Sequence, residues 1–285
     1  MAIIEYHTIN SIAEYHEAEA LQFLVWGGSD IETVPTHILR TVRENGGVVH
    51  GAFAHVPGRG ESLVGLVFGF PGISKAEKLI HCSDLLCVHP DYRNFDIGYQ
   101  LKLIQRAHVL NQGIDLITWT FDPLESRNAN LNFHKLGGIS RTYLCDYYGN
   151  MKDDLNTSLP SDRLLVEWLV ASEKVKGMVS GEKPRQAFDL KKLVVLNPAS
   201  KDDLPRPTEN PQVADEQSVL IEVPVNFREI LAAEPGLAFA WRRHLRSLFN
   251  KTFSYGYLIS DFLYEKNSRR GTYLLEKAVS FDLLA

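Results

Sequence analysis

"HPDYRNFDIGYQL", residues 89–101, is the stretch on which the reading of this chain turns. It follows "KLIHCSDLLCV" (78–88), a short apolar run of strand character, and leads into residues where Ile97, Leu101, Ile104 and His108 recur at helical spacing. Arg93 and Gly98 thus stand five apart on a turn that joins a strand to a helix. Amide groups at such a helix start point at one spot and the helix dipole adds partial positive charge, so the pattern suits a phosphate. Gly98, having no Cβ, permits close approach, while Arg93 either stabilises the turn or meets the phosphate directly. Asp96 is the discordant residue, because a carboxylate turned inward meets a phosphate as a like charge. Two outcomes are open: Asp96 turns outward and caps the helix that begins at Ile97, the expected one, or tight phosphate binding is lost. Alone, the loop also reads as a plain strand–turn–helix connection.

Working outward, "AIIEYH" (2–7) reads as a strand, and "NSIAEYHEAEALQFLVWG" (10–27) as a helix with a Ser/Asn cap and a terminal glycine. "VPTHILRTVREN" (34–45) is a second helix closed by Asn45-Gly46-Gly47, and two β-rich runs flank a turn at Pro57-Gly58-Arg59-Gly60. After the helix that opens at Ile97, with Lys102 and Arg106 left toward solvent, come a strand "GIDLITWTF" (113–121), a short helix "SRNANLNFHKLGG" (126–138) and a strand "ISRTYLCDYY" (139–148). The order is β, α, α, β, β, β, α, β, α, β.

The remainder is a smaller α/β region. "SDRLLVEWLVASEKV" (161–175) reads as an amphipathic helix behind a Ser-Asp cap, and "KKLVVLNP" (191–198) as a strand. "ASKDDLPRPTENPQVADEQ" (199–217), with three prolines, sustains neither a helix nor a central strand. "SVLIEVP" (218–224) is a strand, residues 227–253 a helix interrupted at Pro235-Gly236, and residues 255–278 two strands. Arg242, Arg243 and Arg246 lie close on that helix and read either as a carboxylate clamp or as a solvated face with salt bridges. The domain boundary is placed at 158/159.

A chain of 285 residues, 45% hydrophobic, can bury an ordinary core as one large domain or two small ones. Its net charge of -5, with both signs interspersed, provides no global field for nucleic acid or an anionic membrane. Cys82, Cys87 and Cys145 form no CxxC pair, which argues for a reducing compartment and against structural zinc. No basic leader opens the sequence and no apolar run reaches the ~18 residues of a membrane span. A cytoplasmic protein without a metal cofactor is expected.

The element order, with Arg93-Asn94-Phe95-Asp96-Ile97-Gly98 between the fourth strand and a helix, resembles the GNAT superfamily of N-acetyltransferases, whose phosphate loop reads Gln/Arg-x-x-Gly-x-Gly/Ala. A second superfamily pattern, Asn-x-x-Ala-x-x-apolar-Tyr-x-Lys-x-Gly-Phe, is met in part by Ser126 to Gly138, through Ala129, Lys135 and Gly137. "WTFDPLESRNANLNFHKLG" (119–137), a following "YG" and "LPSDRLLVEW" (159–168) are similar to a subgroup of acyltransferases with an added C-terminal region. The resemblance implies an α/β (α+β) fold: a mixed, mostly antiparallel sheet with flanking helices in an acyl-CoA-binding domain, residues 1–158. Residues 159–285 then extend the sheet or close the acceptor site.

By the same resemblance the fourth and fifth strands splay apart. Leu86, Cys87 and Val88 then run beside the pantetheine arm of acetyl-CoA or another acyl-CoA, Arg93, Asn94, Phe95, Asp96, Ile97 and Gly98 hold its phosphates, and Ser126, Asn128 and Asn132 bond its amides. Ser126 also reads as a helix cap, the two asparagines as exposed positions, and Lys102 and Arg106 either reach the coenzyme's phosphates or lie on a solvated helix face. Acyl transfer is direct, so the attacking amine calls for a base and the leaving thiolate is helped by an acid. His81 and Asp84 on the fourth strand are the candidate base, facing opposite sides of it. Phe133 stands where the superfamily has its acidic tyrosine and has no proton to give; His134 points about 100° away on a helix. Tyr143, Tyr147 or Tyr148 can substitute, while Cys87 reads as a buried apolar residue rather than a nucleophile. The expected function is acyl-CoA-dependent transfer of an acetyl or succinyl group to a small amine such as an amino acid. The alternatives are a non-catalytic ligand-binding protein of the same fold and a protein N-acetyltransferase. A homodimer stays open, and neither nucleic acid nor membrane is an expected partner.

Overall fold

The computed structural model describes residues 3–27, 33–56, 60–149, 159–181, 192–200, 202, 204–208, 211, 215–264 and 269–277. They fall into two compact units that divide within one strand, between Trp119 and Thr120. The turn foreseen at Pro57-Gly58-Arg59 lies outside the described residues.

In the first unit, β1 (Ile4–Thr8) pairs antiparallel with β2 (Val48–Val56), β2 with β3 (Gly60–Ile73), and β3 with β4 (Leu79–Val88). β5 (Leu116–Phe121), whose first four residues belong here, joins β4 in parallel. Helix α1 (Ile12–Trp26) starts where its sequence says it should: the Ser11 hydroxyl accepts from the Glu14 amide, and the Glu14 carboxylate accepts from the Ser11 amide. It stops at Gly27, whose φ of 62° only glycine adopts without cost. α1 and α2 (Thr36–Glu44) cover one sheet face over Tyr15, Leu39, Phe53, Leu66, Phe68, Leu85 and Cys87. Each large side chain fully buried there contributes about 1.5–3 kcal/mol.

Helix α3 (Ile97–Asn111) takes the opposite face, since Gly65 alternates with Leu66 along β3. A Cβ on Gly65 would stand 2.6 Å from Ile97 Cγ2, so the missing side chain is what lets the first turn of α3 press against the sheet.

The second unit contains α4 (Ser126–Ala129), which runs into a π-helical turn at Asn130–Lys135, then β6 (Tyr143–Leu144), β7 (Arg163–Leu169) and α5 (Glu173–Ser180). β8 (Val194–Val195), β9 (Ser218–Pro224), α6 (Phe227–Ala233), α7 (Pro235–Ser254), β10 (Tyr257–Tyr264) and β11 (Arg270–Lys277) follow. Four of these strands form a sheet of order β10-β11-β9-β8, and β6 pairs antiparallel with β7. The fold class is therefore the expected one, a mixed, mostly antiparallel α/β fold with flanking helices and a second, smaller sheet.

Two expectations are corrected. Residues 161–175 are not one helix: Arg163–Leu169 is a strand, with Leu164, Val166 and Trp168 fully buried and the residues between them half-buried. The run carries a period of two as well as of four. Trp168 settles the choice by burying its ring and donating Nε1–H to the Leu136 carbonyl at 2.7 Å. The helix begins later, where the Ser172 hydroxyl accepts from the Val175 amide. The strand read over 139–148 shortens to Tyr143–Leu144, with single bridges at Ile139 and Ser140, and Asp146 at φ 47° breaks the extended path.

Candidate active site

β4 and β5 pair at only two positions, His81 with Ile117 and Cys82 with Thr118. Beyond them β4 runs on to Val88 and β5 on to Trp119 and past it, so backbone on both is free of the other strand. The opening is helped by a bulge: Ser83 pairs with Gly69 and Leu85 with Phe68, which leaves Asp84 as an extra residue. β4 then ends in a tight loop. His89 Nδ1 accepts from the Asp91 amide, a single 3-10 turn spans Pro90–Tyr92, and α3 opens at Ile97.

Arg93, Asn94, Phe95 and Asp96 are exposed, Gly98 is half-buried and Ile97 is buried against the sheet. The first amides of α3 follow directly. Asp96 holds the N-cap position, but its side chain makes no capping hydrogen bond, contrary to expectation. Its φ of 54° is left-handed, whereas an ordinary cap is extended. The backbone here has the conformation that glycine adopts without strain. Asp96→Gly is accordingly expected to raise stability, by up to about 1 kcal/mol from relief of the left-handed strain, read from urea unfolding.

Leu86 and Val88 are half-buried, while Cys87 belongs to the core under α1, where burial pushes its thiol pKa far up. His81 is fully buried. The Gln105 side-chain amide stands 3.1 Å from its Nε2, and its Nδ1 is buried without a partner. Burial, and next the charge of Lys102, lower its pKa to about 4, so the imidazole is neutral. Asp84 is exposed at the bulge, with partial desolvation pushing its carboxyl upward.

The reading from sequence missed Lys102. Expected on the solvent side of α3, it is 2% exposed: Nζ donates to Ser83 Oγ at 3.0 Å and Gln105 Oε1 at 2.8 Å, and lies 3.6 Å from the centre of the Trp119 ring. The buried side of α3 comprises Ile97, Leu101, Lys102, Gln105 and Val109, a stripe wide enough to include two polar residues. Gly69 makes the room, since a Cβ there would stand 2.5 Å from His81 Nε2 and 2.9 Å from Gln105 Nε2. The one signal in the sequence was the spacing of Lys102 and Gln105 beside Leu101.

The other candidates lie in the second unit. Ser126 is buried and donates to the Pro224 carbonyl at 3.0 Å; Asn132 is buried, and Asn128 is exposed. Phe133 is fully buried between the rings of Phe121 and Tyr273, and His134 pairs with Asp261 at 3.0 Å. Tyr143 is buried and donates to Asp162 Oδ2 at 2.9 Å; burial, and then the Asp162 charge, push its pKa far up. Tyr147 and Tyr148 are exposed, Tyr148 sharing a 2.9 Å hydrogen bond with Thr120. Of the three arginines, Arg242 is held bidentately by Asp122 and Arg246 by Asp162, while Arg243 faces solvent. Tyr143→Phe is expected to lower stability by about 1 kcal/mol, the usual value of one such hydrogen bond, read from the urea midpoint.

His81 is thus buried and Asp84 exposed on the same strand, and Tyr143 is bonded within the second unit. Among the described residues no group of three or more His, Cys, Asp or Glu is placed to hold a metal ion, and no helix is long and apolar enough to cross a membrane. The three cysteines are unpaired.

No family model and no curated protein matches the chain. Solved structures similar to it include the NatC complex bound to Gag peptide and CoA, at 17% identity, TM-score 0.47, over 58% of this chain and 98% of that one. Another is the ribosomal-protein-S18-alanine N-acetyltransferase from Escherichia coli, at 9% identity, TM-score 0.45, over 65% and 99%. A third is Ard1 from Thermoplasma volcanium, at 13% identity, TM-score 0.44, over 59% and 99%.

Proposed function

We propose that the protein is an acyl-CoA-dependent N-acyltransferase acting on a small amine such as an amino acid. The observation that carries this reading is the fork of β4 and β5 beside a loop that delivers the start of α3. The coenzyme's diphosphate suits the exposed Arg93–Asp96 turn and the first amides of α3, and its arm suits the edge of β4 from Val88 toward Asp84 that β5 leaves uncovered. The amine nitrogen attacks the thioester carbon, the C–N bond forms, the C–S bond breaks, and the thiolate takes up a proton. Asp84, exposed at the bulge with its carboxyl shifted upward, is the better placed of the two β4 candidates to accept the amine's proton. His81 contributes as a buried neutral ring that holds Gln105. Backbone amides left open by the bulge suit the developing oxyanion.

A reducing, cytoplasmic setting agrees with three unpaired cysteines. Calorimetry with acetyl-CoA, succinyl-CoA and free CoA tests the coenzyme, and thiol release over a panel of amino acids tests turnover. Micromolar binding with amine-dependent thiol release supports the reading; absence of binding to all three sinks it. Binding without turnover favours a non-catalytic ligand-binding protein instead, for which the burial of Phe133 at the acid position speaks.

A further inference from the structure

Gln105, fully buried on α3, turns both ends of its side-chain amide to β4. Its Oε1 accepts from Ser83 Oγ at 3.1 Å and from Lys102 Nζ at 2.8 Å, and its Nε2 stands 3.1 Å from His81 Nε2. Lys102 completes the group by donating to Ser83 Oγ at 3.0 Å. His81 and Ser83 lie on either side of Cys82, the last β4 residue that pairs with β5. The amide of Gln105 therefore grips β4 on both sides of the point where the two strands part.

The grip matters because β4 changes faces at the next residue. On a regular strand, positions 81, 83, 85 and 87 would all face one side. Here His81 and Ser83 turn to α3, while Leu85 and Cys87 lie in the core under α1 and α2. Across from them β3 runs without a break, Phe68 beside Leu85 and Gly69 beside Ser83, so the change of face falls within β4, at Asp84. Two anchors of opposite kind fix that place. Apolar burial holds Leu85 and Cys87 on one face, and the Gln105 amide holds His81 and Ser83 on the other. Moving the bulge by one residue would carry a side chain to the wrong face and break bonds that have no water to replace them. Gly69 leaves room for the second anchor, since a Cβ there would stand 2.9 Å from Gln105 Nε2 and 2.6 Å from the Cys82 carbonyl oxygen. Asp84 is exposed where these two anchors put it.

We infer that Gln105 is a positioning residue for acyl transfer, fixing the bulge at which Asp84 accepts the proton of the amine. This rests on the reading of Asp84 as the base; Gln105, fully buried, acts through the strand. The test is thiol release from acetyl-CoA or succinyl-CoA, with the most active amino acid of the panel, by wild type, Gln105→Met, Asp84→Asn and the double variant, beside calorimetry with free CoA. The expected kcat is at least about tenfold lower in each single variant, and that of the double variant stays within about threefold of Gln105→Met, while CoA affinity stays within about threefold of wild type throughout. A merely structural role would weaken CoA binding along with kcat and let the Asp84→Asn loss add in full, and either result overturns the inference. So does wild-type kcat in a folded Gln105→Met or in Asp84→Asn, and in these cases turnover by wild type keeps the acyl-transfer reading standing. If Gln105→Met does not fold, Ser83→Ala takes its place by removing the β4 side of the same bond, with kcat expected at least about threefold lower and CoA affinity kept. Wild-type kcat in Ser83→Ala then overturns the inference. Absence of thiol release by wild type overturns both readings.

Discussion

Gly98→Trp is expected to abolish binding of acetyl-CoA and of free CoA alike, with affinity falling at least about a hundredfold, since an indole would fill the space over the first amides of α3 that a diphosphate must occupy. The equal loss for both ligands is the informative part, because it separates the shared phosphate end from the acyl end. Gly98 is half-buried and lies inside the first turn, where its backbone is helical. Tryptophan has the higher helix propensity by roughly 0.3–0.5 kcal/mol, so the substitution does not weaken the helix through its backbone. A variant that unfolds in urea like wild type but shows no heat with either ligand places the coenzyme on this loop. Retained binding moves it elsewhere and removes the basis for assigning Arg93, Asn94, Phe95, Asp96 and Ile97 to it.

Asp162→Ala carries the largest expected effect on stability, a loss of about 2–3 kcal/mol, because a buried carboxylate that accepts several hydrogen bonds is removed while its ion-pair partner Arg246 stays about a third exposed. Asp162 is fully buried and serves several donors at once: both ends of the Arg246 guanidinium, the Tyr143 hydroxyl at 2.9 Å and the Asp146 amide at 2.9 Å. Removing the carboxylate strands all of them. Burial by itself raises the carboxyl's pKa, but the hydrogen bonds from Arg246, the Asp146 amide and Tyr143 outweigh it and leave the pKa below the usual value. Unfolding returns it to about 3.9, so the stabilisation is complete well above that pH. It is lost as pH falls from there through the lower folded value. Urea unfolding from pH 7 down to pH 3 is expected to show a decline in wild type that is shallower in Asp162→Ala. An unchanged slope would mean that other carboxylates dominate the acid side.

The strand–loop–helix at residues 79–111, the capping of α1, the Pro235 start of α7 and the mixed α/β class could all be read from the sequence, because each depends on neighbours within a few positions. Ser11 meets Glu14 three residues on, and Gly27 adopts its left-handed turn on its own account. Residues 161–175 were misread because Leu164, Leu165, Trp168 and Leu169 also fit a helical face. The choice needed Tyr143 as a strand partner and Leu136 as an acceptor, both distant in the chain. The same holds for the arginines of α7: spacing put them on one helix, but only folding brought Asp122 and Asp162 to Arg242 and Arg246.

What the sequence by itself determined, then, was the local architecture, including the strand–loop–helix at residues 79–111. Only the tertiary structure decided that Asp96 takes a left-handed backbone and leaves the helix uncapped, and that Lys102 sits under the fork rather than in water. The physical reason is one of range. Caps, turns and periodicity are interactions between residues close in the chain, whereas burying a lysine needs an acceptor from β4, a ring from β5 and, for the Gln105 that also accepts from it, the space left by Gly69 on β3. Those three come from segments up to fifty residues apart, and nothing in the local pattern of α3 specifies that they meet.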